Sequence, residues 1–89
     1  MHSFENEYAI TPPVYVYKPK KEWLRIQGEK QACTERIREL RKMYATDKME
    51  GTRHAIQRES SYLMLFRQYS TELSIAERDK TMVKQRTIR

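Results

Sequence analysis

The stretch YLMLFRQYSTEL, residues 62–73, is the most apolar part of an 89-residue chain in which 34% of residues are charged and 38% hydrophobic. Its first five residues, Tyr62 to Phe66, form the longest uninterrupted apolar run. On a helix, five consecutive residues cover more than one face, so a helix carrying them must be enclosed on several sides. What encloses it decides the fold. The run is far too short to cross a bilayer.

Working outward from this stretch, Met49, Thr52, Ile56, Glu59, Leu63, Phe66, Ser70 and Leu73 recur at alternating steps of three and four. That is a heptad seam, and it predicts a helix over about 47–80. Thr46 and Asp47 are good N-cap residues, and Asp47 with Glu50 resembles a capping box. An earlier seam has the same rhythm: Trp23, Ile26, Lys30, Cys33, Ile37, Leu40 and Tyr44, broken only at Lys30. It predicts a first helix over about 20–44, starting past Pro19, with a break near 44–52. Glu35 and Glu39 precede Arg38 and Lys42 by one turn and are expected to pair with them.

All three prolines lie in residues 1–19, MHSFENEYAITPPVYVYKP. Pro12, Pro13 and Pro19 exclude a helix there, and Val14-Tyr15-Val16-Tyr17 favours extended backbone. A lone strand cannot satisfy its own backbone, so an ordered arm must lie along another surface, with Phe4, Tyr8, Tyr15 and Tyr17 as anchors. Residues 81–89 are weakly patterned and read as a basic tail. The expected architecture is therefore all-α and non-globular: an extended N-terminal arm, two helices and a tail. If the helices pair, each buries one stripe, and Tyr62, Met64, Leu65 and Tyr69 remain without cover. Large apolar side chains gain roughly 1.5–3 kcal/mol each on burial. The reading that follows is a fold completed by partners, anchored through Tyr15, Tyr17, Trp23, Ile37, Leu40, Leu63, Leu65, Phe66, Tyr69 and Leu73.

Charge narrows the partner. The net charge is +6 and the mean hydropathy -0.94. Residues 18–44 carry nine Lys/Arg against four Glu, residues 45–73 are balanced, and residues 74–89 carry five basic residues against two acids. Two basic blocks flank the greasy stretch, which favours an acidic partner. The run Arg36-Ile-Arg-Glu-Leu-Arg-Lys42 could grip phosphate, but its cations fan around the helix and acids interrupt them. Nucleic acid is the weaker reading.

No catalytic constellation emerges. His2 and His54 are the only histidines and Cys33 the only cysteine, so no metal cluster of sensible spacing is formed. Cys33 falls on the apolar seam and reads as a buried structural thiol in a reducing compartment. Gly28 and Gly51 are isolated and build no phosphate loop. The N-terminus is expected to be neither a signal peptide nor a mitochondrial presequence. The chain is read as a non-enzyme with no cofactor, no metal and no membrane partner.

Residues 44–76 add a likeness. Tyr44-Ala45-Thr46 precedes a helix carrying Arg53-His-Ala-Ile56, Tyr62-Leu63, Leu65-Phe66, Gln68-Tyr69 and Glu72-Leu73, and Trp23 stands near the start of an earlier helix. This resembles a pattern in the small microtubule inner proteins of ciliary and flagellar doublets. That family has a Gly shortly after the closing Leu, where Ser74-Ile75-Ala76 stand here. The resemblance implies a structural protein on the luminal face of axonemal doublet microtubules, in the cytoplasmic cytoskeleton of a cilium or flagellum. Its implied partners are α/β-tubulin and neighbouring inner proteins, and its implied role is to stabilise the doublet. Basic charge and an extended arm also suit an accessory subunit of a mitochondrial ribosome or respiratory complex.

Overall fold

A computed structural model describes residues 14–89. In chain order the elements are β1 (Tyr15–Val16), α1 (Pro19–Asp47), α2 (Glu50–Asp79) and β2 (Val83–Lys84). The all-α class holds: two long helices carry the structure. Pro19 opens α1, where its fixed φ suits the first turn and its missing N–H is one no helix would pair. Lys48 ends α1 in the left-handed conformation at φ 53°, its N–H returning to the Tyr44 carbonyl at 2.8 Å. Only Lys48 and Met49 separate the helices, so they run back antiparallel.

The break falls inside the expected 44–52, but its chemistry differs. Asp47 belongs to α1 and does not cap α2. Met49 holds the N-cap position, in extended backbone, with no side-chain cap hydrogen bond. The first helix runs three residues past its expected end, and the second starts three residues late. Asp47 is held inside α1 because the chain reverses only at the left-handed Lys48.

Both seams face the partner helix. Ile26, Cys33 and Ile37 of α1 are buried, and Trp23, Lys30, Leu40 and Tyr44 half-buried. On α2, Glu59, Phe66, Ser70 and Leu73 are buried and Thr52, Ile56 and Leu63 half-buried; Met49 alone is exposed. The polar seam residue Ser70 is matched across the interface, its Oγ accepting from the Gln27 amide at 3.0 Å.

The chain ends build a further layer. β1 and β2 pair antiparallel, Tyr15 opposite Lys84 and Val16 opposite Val83, and the Gln85 N–H donates to the Val14 carbonyl at 2.7 Å. The strand that needed another surface finds it in its own chain. Residues 81–89 are therefore not a free tail. Val16 is buried in one cluster with Ile26, Cys33, Phe66, Tyr69 and Leu73, against which Val83 and Ile88 also pack. Tyr69 is fully buried and Tyr62 half-buried, so part of the cover assigned to partners comes from the chain's own C-terminal segment. Of the expected arm, Phe4 and Tyr8 lie outside the described residues.

Candidate partner-binding groove

A helix advances about 100° per residue. Taking Cys33 as the direction of the α1 seam, Thr34, Ile37, Arg38, Arg41 and Ala45 fall on one flank, with Lys42 at its outer edge. Arg36 and Glu29 fall on the other. On α2, with Glu59 as the origin, Ser60, Leu63, Met64 and Arg67 share a flank, while Tyr62, Tyr69 and Ala76 lie opposite. The structure pairs these flanks consistently, giving the hairpin two unlike sides.

The strapped side holds a buried polar cluster. Glu59, on the apolar seam, accepts hydrogen bonds from Arg36 Nη1 at 3.1 Å, from Arg89 Nη2 and from the Cys33 thiol at 3.6 Å. Burial pushes the Glu59 pKa up, but the Arg89 and Arg36 guanidiniums outweigh it and hold the carboxyl below the usual glutamate range. Arg89 also stacks over the Tyr62 ring, 4.9 Å from its centroid. The Cys33 thiol is pushed up, chiefly by burial and further by Glu59, so it stays protonated and unreactive. Nearer the open end of the hairpin, the Tyr69 hydroxyl donates to Glu22 Oε2 at 2.8 Å while Arg25 grips both oxygens of that carboxylate. Glu22, Arg25, Arg36, Glu59 and Arg89 on this side are all engaged in ion pairs within the chain.

The other side is different. An open groove of about 820 Å³ lies between the helices, lined among others by Ile37, Leu63, Met64, Arg38, Arg41 and Arg67. A second depression of about 440 Å³ continues it along the hairpin past Arg67 to Lys30, Trp23 and Ile75. Among the described residues, no acid lines either one. The floor is apolar, and Met64 keeps 61% of its surface exposed and Ile75 44%. Lys30, Arg38, Arg41, Lys42 and Arg67 form the rim, and none of the five takes part in an ion pair among the described residues. The expected pairs of Glu35 with Arg38 and Glu39 with Lys42 are not made. Glu35 instead accepts from the Gln31 amide at 3.4 Å.

The ten residues expected to anchor a partner therefore separate. Trp23, Ile37 and Leu63 line the two depressions. Tyr15 in β1 and Tyr17 just after it are exposed over a shallow hollow shared with Lys18, Lys21 and Arg25. Leu65 is 38% exposed on the strapped side, and Leu40 is half-buried in the seam. Phe66, Tyr69 and Leu73 are core residues of the hairpin with 3%, 0% and 0% exposure, committed within the chain. Sequence reasoning singled out the Arg36–Lys42 run and the uncovered Met64, but did not join them with Lys30 and Arg67 into one groove. Its signal was present as matching 3-and-1 spacings, 34/37/38/41/42/45 on α1 and 60/63/64/67 on α2.

Among the described residues, no group of three His, Cys, Asp or Glu could hold a metal ion, and no helix is long and apolar enough to cross a membrane. No family model, curated protein or solved structure matches this chain significantly.

Proposed function

We propose that this chain is a structural binding protein that docks on an acidic protein surface, and that the surface is the luminal face of axonemal doublet tubulin. The observation that carries the reading is the unstrapped flank. Five cations surround exposed apolar side chains, and no acid among the described residues answers them. Among the other described arginines every one but Arg58 is matched to a carboxylate, as Arg25 is to Glu22 and Arg86 to Glu72 at 2.6 Å. An uncompensated basic face with an apolar floor fits a partner that supplies carboxylates and apolar contacts together. The resemblance of residues 44–76 to small microtubule inner proteins supports the location. Its inward members, Phe66, Tyr69 and Leu73, then act by holding the hairpin in shape, and the groove makes the contact.

The test is fractionation. The chain should remain with doublet microtubules when axonemes are washed in moderate salt and leave at high salt, because exposed charge pairs are screened. The double variant Arg38→Glu/Arg41→Glu should move to the soluble wash. Complete loss of the wild-type chain at low salt, or its enrichment in mitochondria, would overturn the location; enrichment in mitochondria would point to the accessory-subunit role instead.

A further inference from the structure

Building on the binding-protein reading, we infer that the unstrapped flank is a helix-accepting groove: it takes an acidic amphipathic helix from the partner as the third member of a bundle. The geometry of the lining argues for this. Residues 34, 37, 38, 41, 42 and 45 of α1 and 60, 63, 64 and 67 of α2 form a stripe on each helix, and Ile37, Leu63 and Met64 are their large apolar members. Two antiparallel helices leave such a channel wherever a third would pack, with an apolar seam at its base and polar residues on its shoulders. From Trp23 to Ala45 the channel follows α1 for 22 residues, about 33 Å at 1.5 Å per residue. That is the length of a six-turn helix. Its apolar stripe would cover Ile37, Leu63, Met64 and Ile75. Its flanking glutamates or aspartates would meet Arg38, Arg41, Lys42 and Arg67 on one half and Lys30 on the other.

Other occupants fit less well. An RNA backbone would satisfy the cations and leave the apolar floor uncovered, at the cost of that contact area. A membrane surface could cover Met64 and Ile75, but Ile37 and Leu63 lie deeper between the helices, out of reach of a flat apolar layer. A second copy of this chain would set one basic flank against another, since residues 18–44 carry a net positive charge. An acidic helix alone answers both the charge and the concave apolar base.

The experiment uses the full chain and a synthetic 21-residue helical peptide with leucine at heptad a and d positions and glutamate on its flanks, labelled with fluorescein. Trp23 is the only tryptophan and lines the channel, so its emission reports directly on filling. The expected result is saturable anisotropy binding together with a blue shift of Trp23. Arg38→Glu/Arg41→Glu should weaken binding roughly tenfold or more, as lost rim charges at a desolvating contact do. The same variant should gain affinity for a lysine-flanked version of the peptide, and circular dichroism should show its helices intact. Absent binding, binding with no change in Trp23, or indifference to charge reversal would overturn the inference. So would tighter binding of a uridine oligonucleotide that shifts Trp23 equally, or dimerisation of the free chain through the Arg38 face. The two readings fail separately. Peptide binding without retention on doublets overturns the tubulin location alone, and retention without peptide binding overturns the helix groove alone.

Discussion

Glu59 occupies a heptad position where an apolar residue is the rule, with 6% of its surface exposed, yet its carboxyl is held ionised. Its pKa in the folded chain lies below the unfolded value. In the window between the two, the unfolded chain holds a proton that the folded chain does not, so stability rises with pH there. The contribution is complete above the ordinary glutamate pKa of about 4.3 and is lost as pH falls through the lowered one. Arg89→Ala removes the largest of the lowering influences and leaves burial pushing up. We expect a loss of about 1–2 kcal/mol at neutral pH, in the range of a hydrogen bond to a charged group that is partly solvated. The acid unfolding midpoint should move to higher pH, and the Glu59 carboxyl resonance should titrate later in the same direction. An unchanged midpoint would mean that Arg89 is not engaged with Glu59. Tyr69 gives the opposite sign. Burial, then donation to Glu22, raises its phenol to about 12, so its contribution is full below the ordinary tyrosine pKa of about 10 and is lost as pH rises from there toward 12. Spectrophotometric titration should show one tyrosine ionising well after the rest. Tyr69→Phe should abolish that late step and cost about 1 kcal/mol for the lost bond to Glu22. Simultaneous ionisation of all the tyrosines below pH 11 would show the Tyr69 hydroxyl to be free.

The two helices were legible because burial repeats along them. Every α1 seam position from Trp23 to Tyr44 is buried or half-buried, even Lys30, whose amine donates to Gln27 Oε1 at 3.2 Å. A 3-and-4 rhythm needs only local sequence, so it survives without knowledge of the partner. Helix ends obey finer rules. Asp47 with Glu50 had the right spacing for a capping box, but the reversal occurs at Lys48, one residue past Asp47. Met49 was thereby left as N-cap, its carbonyl accepting from the Thr52 and Arg53 N–H groups but its side chain offering no acceptor. Met49 is 60% exposed, so replacing it disturbs no packing. Met49→Ser should accept a hydrogen bond from the α2 first turn and stabilise the hairpin by about 1 kcal/mol, read as an upward shift in chemical denaturation midpoint at constant slope. No gain would place the start of α2 elsewhere. The same short-range logic explains why the Arg36–Lys42 cations were not read as one unpaired rim. Glu35 with Arg38 and Glu39 with Lys42 look like neutralised pairs in sequence. Exposed i,i+3 pairs gain so little that these side chains have no strong reason to close.

The hairpin becomes a cored structure only where its ends cover it, and this was invisible in the sequence for a physical reason. β1 and β2 are two residues each, too short to show a period of two, and their pairing joins residues nearly seventy positions apart. Nothing local in Thr81-Met-Val-Lys-Gln-Arg-Thr-Ile-Arg89 marks Val83 and Ile88 as interior, or Arg89 as the partner of a glutamate thirty residues earlier. The consequence is specific. A chain ending at Lys80 keeps both helices and the left-handed cap, whose N–H still reaches the Ala76 carbonyl. It loses β2, the packing of Val83 and Ile88, the Arg86 bond to Glu72 and the Arg89 bond to Glu59. Val16 loses its strand partner, and Tyr69 and Phe66 lose their cover. Two half-buried aliphatics at roughly 1 kcal/mol each, with one partly buried ion pair, give a loss of about 3–4 kcal/mol. Domains of this size are stable by about 5–15 kcal/mol in total, so such a loss is a large share. The truncated chain should melt well below the full chain, with a broadened transition and new binding of a hydrophobic dye. Ile88→Ala in the full chain should give a fraction of the same shift, which separates lost packing from mere shortening. An identical melt for the truncated and full chains would show the C-terminal segment to be undocked and return the covering of Tyr62 and Tyr69 to a partner.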